Sequence, residues 1–306
     1  YIRVSFDTTA VNSGQIGGTC VLLERHLGKT SLYLPCCHHI FEIVLRSIFD
    51  CKMGKSTGKD VLIFKRFQLP WKGNLNKQNS GIAEKDFLKN NLNNAQPRND
   101  YKELLELALI FLGEKPKTLT FFHVPGAIHP KCQRKTALHH ICVFLIIIYI
   151  EAWLEATSAT AAPYNDLVFF KKLYNYQAID AEISKVAVSK FINHLWYLSP
   201  QAMGLAFFDK NINTEMKKKM LTRLDSNNSS NESTKRLKLN NCDMDEFIKN
   251  EIDNFVNSET RDFFKLFNLD ESFLENDPST WDNIHSYKNA LNIVTKLRVV
   301  NDTAKP

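Results

Sequence analysis

Asp7 is the residue whose type and position point most directly to chemistry. It follows Ile2-Arg-Val-Ser-Phe6, where apolar and polar residues alternate as in a half-buried strand, so its carboxylate falls at a strand tip. Open α/β sheets gather reactive groups at the carboxyl ends of their strands. Acids placed there bind divalent metal, and two cations about 3.5–4 Å apart can clamp an in-line phosphoryl transfer. Such a centre needs at least two further acids. Asp302, at the tip of an expected strand Leu297–Val300, and Asp50 are the acids whose placement fits. The competing reading is that Asp7 opens an Asx-turn at a strand end.

Other chemistry-bearing types are less well spaced. Cys36-Cys37-His38-His39 offers soft metal ligands, but four-coordinate zinc draws its ligands from separated pairs. No second Cys/His pair lies at a suitable distance, and His129 and Cys132 sit in an irregular stretch. A helix start packed on a sheet accounts for Cys36 and His39 more simply. Gly54-Lys-Ser-Thr-Gly-Lys59 fails the G-x-x-x-x-G-K-[ST] spacing of a phosphate-binding loop, with Asp60 in the hydroxyl position. No G-x-S-x-G elbow is present. The stretch from Lys52 to Lys77 carries Lys52, Lys55, Lys59, Lys65, Arg66, Lys72 and Lys77 against Asp60, with Phe64, Phe67 and Trp71 interleaved. That pattern suits a nucleic-acid backbone, or else a solvated helix face.

The elements that must position these residues read as strand, helix, strand, helix. After Asp7 comes a polar turn, an amphipathic helix around Cys20–Leu27, a strand Ser31–Pro35 and a helix from Cys36 to about Phe49. Beyond Asp50 the strand signal nearly vanishes. Helices are expected near Asp86, at Tyr101–Leu112, Ala137–Ala156, Asn165–Tyr174, Ile179–Leu198, Gln201–Phe208 and Thr214–Leu224, the last exposed and Lys-rich. Ser226–Asn241 is polar and repetitive and reads as a disordered insertion containing Lys235-Arg236-Leu237-Lys238. Asp243–Asp282 reverses the charge, with twelve acidic residues against three basic ones. The expectation is an α/β core opening at 1–50, an all-α insertion over 51–290, and a returning core strand within 291–306, predominantly helical overall.

Composition sets wide bounds. The 306 residues suffice for a large core, and 44% hydrophobic with 24% charged is ordinary for a globular chain. A net charge of +6 favours an anionic partner without bearing on fold. Seven scattered cysteines and the absence of a leader pattern at Tyr1-Ile-Arg-Val4 point to reduced thiols, in nucleus or cytoplasm. The apolar run Ile141–Ile150 is shorter than the roughly 20 residues of a membrane span and reads as a buried core helix, so no membrane partner is expected. Trp153, Trp196 and Trp281 read as core aromatics.

Phe6-Asp7-Thr8-Thr9, Asn12-Ser13-Gly14, Gly18-Thr-Cys20-Val-Leu-Leu-Glu24 and Cys36-Cys-His38-His39-Ile40-Phe-Glu42 resemble a family of largely uncharacterised animal proteins derived from DNA transposons. Tyr101-Lys-Glu-Leu-Leu-Glu-Leu107, Pro125-Gly-Ala-Ile-His129, Asn193-His-Leu-Trp-Tyr-Leu198, Leu205-Ala-Phe-Phe-Asp209 and Val299-Val-Asn-Asp302-Thr-Ala304 extend the resemblance over most of the chain. A strand-tip acid, a Cys36-x-x-His39 helix and a long helical insertion are similar to the RNase-H-like core of hAT-type transposases. The resemblance implies an Asp-Asp-Glu nuclease using Mg²⁺ or Mn²⁺ to cut and rejoin DNA, with Asp7 as its middle acid and Cys36, His39 and Trp196 in structural positions. It also implies that the strand bearing the first acid lies upstream of Tyr1. Lys305 stands where the third acid belongs, so the core is expected to be truncated at both ends.

Three readings follow. The chain is a transposase-derived remnant without catalysis, needing no metal of its own. Or it is a domesticated module whose basic segment holds DNA or RNA, or whose apolar helices hold a protein partner or a second copy. Or it is an active nuclease when longer.

Overall fold

The structure is a computed structural model that describes residues 3–14, 16–54, 82–94, 99–114, 132–225, 235–239 and 244–301. It is predominantly helical. The chain divides into two compact units, one formed by residues 1–45 and 152–301, the other by 46–151 with 302–306. The expected single insertion over 51–290 is therefore split: its later part packs with the amino-terminal strands, and its earlier part clusters separately.

The first unit begins with β1 (Arg3–Phe6), a one-turn helix α1 (Ala10–Ser13), α2 (Thr19–Leu27) and β2 (Leu32–Pro35). The strands pair in parallel, Arg3 opposite Leu32 through Phe6 opposite Pro35, as a crossover through helices requires. Among the described residues the sheet has these two strands. Leu32, Tyr33 and Leu34 are all buried, as in a parallel strand covered on both faces. α2 ends at Gly28, whose φ of 60° places it in the left-handed region that closes helices. The expected strand at Leu297–Val300 forms no ladder: Leu297 and Val299 are buried in alternation, but the segment's tie is the Cys37 N–H donating to the Val299 carbonyl at 2.8 Å. It caps the start of α3 (Cys37–Met53) instead of extending the sheet.

The second unit takes the remainder of α3 from Arg46, α4 (Ile82–Asn93), α5 (Asn99–Phe111) and α6 (Cys132–Phe144). α4 and α5 lie side by side, and Glu114 beyond α5 pairs with Lys89 at 3.0 Å and Lys85 at 3.8 Å. From α6 the helix continues through a π-helical turn, Leu145–Tyr149, into α7 (Ile150–Glu155). Thr136–Glu155 is long and apolar enough to cross a membrane, and 44% of its most apolar window is buried. Ile141, Phe144, Ile148 and Ile150 are covered as the side chains of a core helix are.

Back in the first unit, α8 (Ala162–Asn175) carries Pro163 in its first turn, and α9 (Ala181–Phe191) is capped by Asp180, which accepts from Glu182 and Ile183 N–H. The helix expected to run on to Leu198 stops at a 3₁₀ turn, Ile192–His194. Ala202–Phe208, expected as an α-helix, is a 3₁₀-helix in which every residue is buried. Its tight winding brings Gly204 against Phe263: a Cβ there would sit 2.2 Å from the ring. Around it Phe207, Phe208, Phe264, Phe273, Trp281 and Tyr287 form a network of edge and stacked rings with centroids 5.1–6.3 Å apart. These rings come from α12 (Arg261–Phe267), α13 (His285–Val294) and the 3₁₀ turns around them.

The charge reversal along the chain also finds its reason. α10 (Thr214–Leu224), capped by Asn213, lays its basic side chains against the acidic block: Lys218 with Asp277 at 2.9 Å, Lys219 with Glu251 at 3.0 Å and Arg223 with Asp253 at 3.4 Å. The Lys-rich helix faces partners within the fold. The two lysine pairs are half-exposed and contribute little individually, while Asp253 under Arg223 is buried; together the three pairs lie beside the inward face of α10, where Lys217, Met220 and Leu224 are buried.

The tight approach at Gly204 yields a direct test. Gly204→Ala is expected to lower the stability of this unit by about 1–3 kcal/mol, because the added methyl must displace Phe263 in a filled core. A denaturant midpoint unchanged from that of the wild type would show that the core relaxes around it.

Candidate functional site

The carboxyl edge of the β1–β2 pair brings together Asp7, His39, His194 and Trp196. Asp7 stands directly after β1 and is exposed. Its Oδ1 accepts the Thr9 N–H at 3.1 Å, the Thr9 hydroxyl at 2.6 Å and the Asn12 amide at 2.8 Å. These bonds make Asp7 the tie between the end of β1 and α1, the Asx-type role open to any acid at a strand end. The Thr9 hydroxyl, the Thr9 N–H, the Asn12 amide and the neighbouring His39 together hold its carboxyl below the usual range despite some desolvation. A second carboxylate sharing the site would push it the other way.

His39, half-buried in the first turn of α3, acts electrostatically on both Asp7 and His194. Burial, with Arg236, His39 and Lys190 nearby, lowers the His194 pKa to about 4, so its ring is neutral at physiological pH. Its Nδ1 is buried without a partner among the described residues. The adjacent His38 faces elsewhere, stacked on Trp153 at 3.8 Å with Nε2 at 2.9 Å from the Trp153 carbonyl. Cys36 is buried and continues the ladder with its N–H donating to the Phe6 carbonyl at 2.9 Å. Trp196 packs on Phe6 at 5.9 Å and Tyr33 at 6.1 Å, closing one side of the sheet edge.

Behind this edge lies a buried polar group that no local pattern announces. Asp166 is inside α8 and 2% exposed. It accepts the Tyr197 N–H, while its Oδ2 has no partner among the described residues. Burial pushes its carboxyl well above the usual range, which favours the neutral acid. Cys37 and Tyr197 are raised likewise, by burial first; Asp166 raises both further and Cys37 raises Tyr197, whereas the hydrogen bond with Tyr197 acts the other way on Cys37. Burial therefore favours the neutral thiol of Cys37 in the core.

Asp50 lies near the end of α3 and follows no strand. Lys52 is half-buried in the last turn of α3, where a cation complements the helix dipole. Asp302, Lys55, Lys59, Lys65, Arg66 and Lys72 lie outside the described residues, as does the His129 end of the His129/Cys132 pair. Among the described residues no three His, Cys, Asp or Glu side chains converge as a metal site. Among the described residues the surroundings of Asp7 supply one carboxylate, whose Oδ1 already accepts three hydrogen bonds, and the His39 imidazole, which is not the acid set that a pair of Mg²⁺ or Mn²⁺ ions needs.

Lys235 and Arg236 are the site residues that composition hides. Residues 235–239, expected to be disordered, are docked: Arg236 lies over the Trp196 ring at 5.3 Å and Lys235 over the Tyr33 ring at 4.9 Å. The local signal is the Lys-Arg-Leu-Lys run itself, inside a tract otherwise dominated by Asn and Ser.

Two variants separate capping from chemistry. Asp7→Asn keeps an oxygen for the Thr9 and Asn12 donors and is expected to retain nearly all stability, whereas Asp7→Ala is expected to cost about 0.5–2 kcal/mol, read by thermal or urea unfolding. For the buried acid, a folded pKa raised above its ordinary 3.8 means that stability is fully present below that value and is lost as pH rises through the folded value. Asp166→Asn is therefore expected to flatten the fall in unfolding free energy as pH rises from 3.8 towards the raised folded value, and a slope equal to that of the wild type would count against a raised Asp166 carboxyl. Compared with known proteins, the chain matches no family model, no curated protein and no solved structure.

Proposed function

We propose that this chain is a transposase-derived, RNase-H-like remnant that has lost metal-dependent strand cleavage and retains a binding role toward nucleic acid in nucleus or cytoplasm. The observation that carries the loss of cleavage is the bonding of Asp7: the acid at the strand tip serves as the tie of α1, and its ionisable neighbour is a histidine. The parallel strand–helix–helix–strand opening with an acid after β1 is compatible with the start of such a core. The net charge of +6 and the basic run from Lys52 to Lys77 supply the attraction for phosphate.

A protein partner or a second copy is the second reading, favoured by one observation. Val11, Ile16, Leu22, Leu23 and Leu27, on and around α1 and α2, are exposed by 37–83%. Clustered exposed apolar side chains of this kind mark association surfaces.

The readings separate in solution. Duplex DNA is expected to bind with an affinity that falls steeply with salt, and Lys65→Gln, Arg66→Gln and Lys72→Gln together are expected to reduce the slope of log K against log salt by up to about 3. Binding unchanged by those three substitutions would remove the basic segment from the proposal. No nicking of supercoiled DNA is expected with Mg²⁺ or Mn²⁺; nicking that Asp7→Asn abolishes would establish the active nuclease instead.

A further inference from the structure

The segment 235–239 rests in a site whose walls are tied to one another by bonds that do not involve the segment. Glu24, on α2, is half-buried and fixed on three sides: its Oε1 accepts the Ser31 N–H at 2.7 Å and the Ser31 hydroxyl at 2.9 Å, and its Oε2 accepts the Tyr33 hydroxyl at 3.2 Å. Lys235 Nζ then reaches Glu24 Oε1 at 2.9 Å and the Ser31 carbonyl at 2.8 Å, over the face of Tyr33. The next residue, Arg236, donates to the Asn193 carbonyl and lies over Trp196. One step further, the Leu237 N–H donates to the Leu195 carbonyl at 3.0 Å. Three consecutive residues are thus read by a pinned carboxylate, two aromatic faces and three backbone carbonyls.

The receiving surface has the same chemistry along its length. Phe6, Tyr33 and Trp196 touch one another with centroids 5.4–6.1 Å apart, so the two rings under the cations belong to one aromatic platform. Cations over aromatic faces gain where water is partly excluded, and Arg gains most from Trp. A carboxylate held by other donors loses little further freedom when an ammonium arrives. His194 beside Arg236 stays neutral and adds no opposing charge.

We propose that this groove, walled by Glu24, Ser31, Tyr33, Asn193 and Trp196, is a recognition site for a linear Lys-Arg-aliphatic segment, filled in cis by the chain's own residues 235–239. Held there, Lys235 and Arg236 are withheld from any anionic partner, and the aromatic platform is withheld from any basic one. The chain carries its own competitor. This inference rests on the groove's geometry and stands independently of a transposase origin or a DNA partner.

Limited trypsin digestion of the native chain, mapped by mass spectrometry, reads the cis contact directly. The bonds after Lys235 and Arg236 are expected to be protected, and Glu24→Gln, which removes the charge while keeping an acceptor for Ser31, is expected to speed their cleavage at least tenfold. Equal cleavage rates in the two chains would overturn the cis contact. The site itself is tested with a synthetic peptide spanning residues 233–239. The double variant Lys235→Ala, Arg236→Ala empties the groove without touching its walls and is expected to bind the peptide at least tenfold more tightly than the wild type, with Trp196 fluorescence as the readout. Failure of that variant to bind, while its unfolding midpoint matches that of the wild type, would sink the recognition site.

Discussion

At the junction of β2 and α3 the chain turns from strand to helix while fully buried, and its backbone polar groups have no water to turn to. Three bonds from three places satisfy them. The Tyr197 hydroxyl donates to the Pro35 carbonyl at 2.5 Å, the Cys36 N–H donates to the Phe6 carbonyl, and the Cys37 N–H donates to the Val299 carbonyl. A buried group left unpaired costs more than a bond gains, so this junction requires all three segments at once. β1, the 195–198 turn and the segment at 297–300 are held where they are by that demand. The carboxyl edge that carries Asp7, His39 and Trp196 is the outer rim of the same junction.

The two-stranded sheet depends on that arrangement. A parallel pair this short has little stability of its own, and its strands survive because both faces are covered. The aromatic platform on Tyr33 and the docked 235–239 segment supply part of that cover. The carbonyls at 193 and 195, the pinned Glu24 and the ring of Trp196 form one surface because the junction fixes the turn that bears them. What holds the fold and what forms the groove are neighbouring faces of the same residues.

How much of this is legible in the chain depends on whether a pattern repeats locally. Alternation at Ile2–Phe6 and the compact apolar run at Leu32–Leu34 announce strands, and the spacing of Cys20, Glu24 and their neighbours announces α2, because period alone decides those elements. The alternation at Leu297–Val299 looks the same, but it records burial, and only a partner's geometry distinguishes a ladder from a single bond. Ala202–Phe208 has no polar face to set a period, and the partner that its 3₁₀ winding brings against Gly204, Phe263, lies nearly sixty residues away. Asp166 resembles a cap because Asn165-Asp166 is cap-like, while Pro163 has already begun the helix. The acids of 243–282 read as a charged block, yet sequence does not say that α10 is their counterpart. For the site, Asp7 and its Asx-turn alternative are both visible; the bonds from Thr9 and Asn12 that form the turn are what the structure adds.

The bond between Cys37 and Val299 also constrains the order of events on the ribosome. It closes a stretch of 262 residues, the separation of the two positions, and the entropy of closing so long a loop must be met before the contact yields anything. With synthesis at roughly 5–20 residues per second, the amino-terminal strands wait many seconds for their last covering segment. Throughout that interval the apolar faces of Leu32 and Leu34 lack that cover, so the nascent chain is a natural client for chaperones.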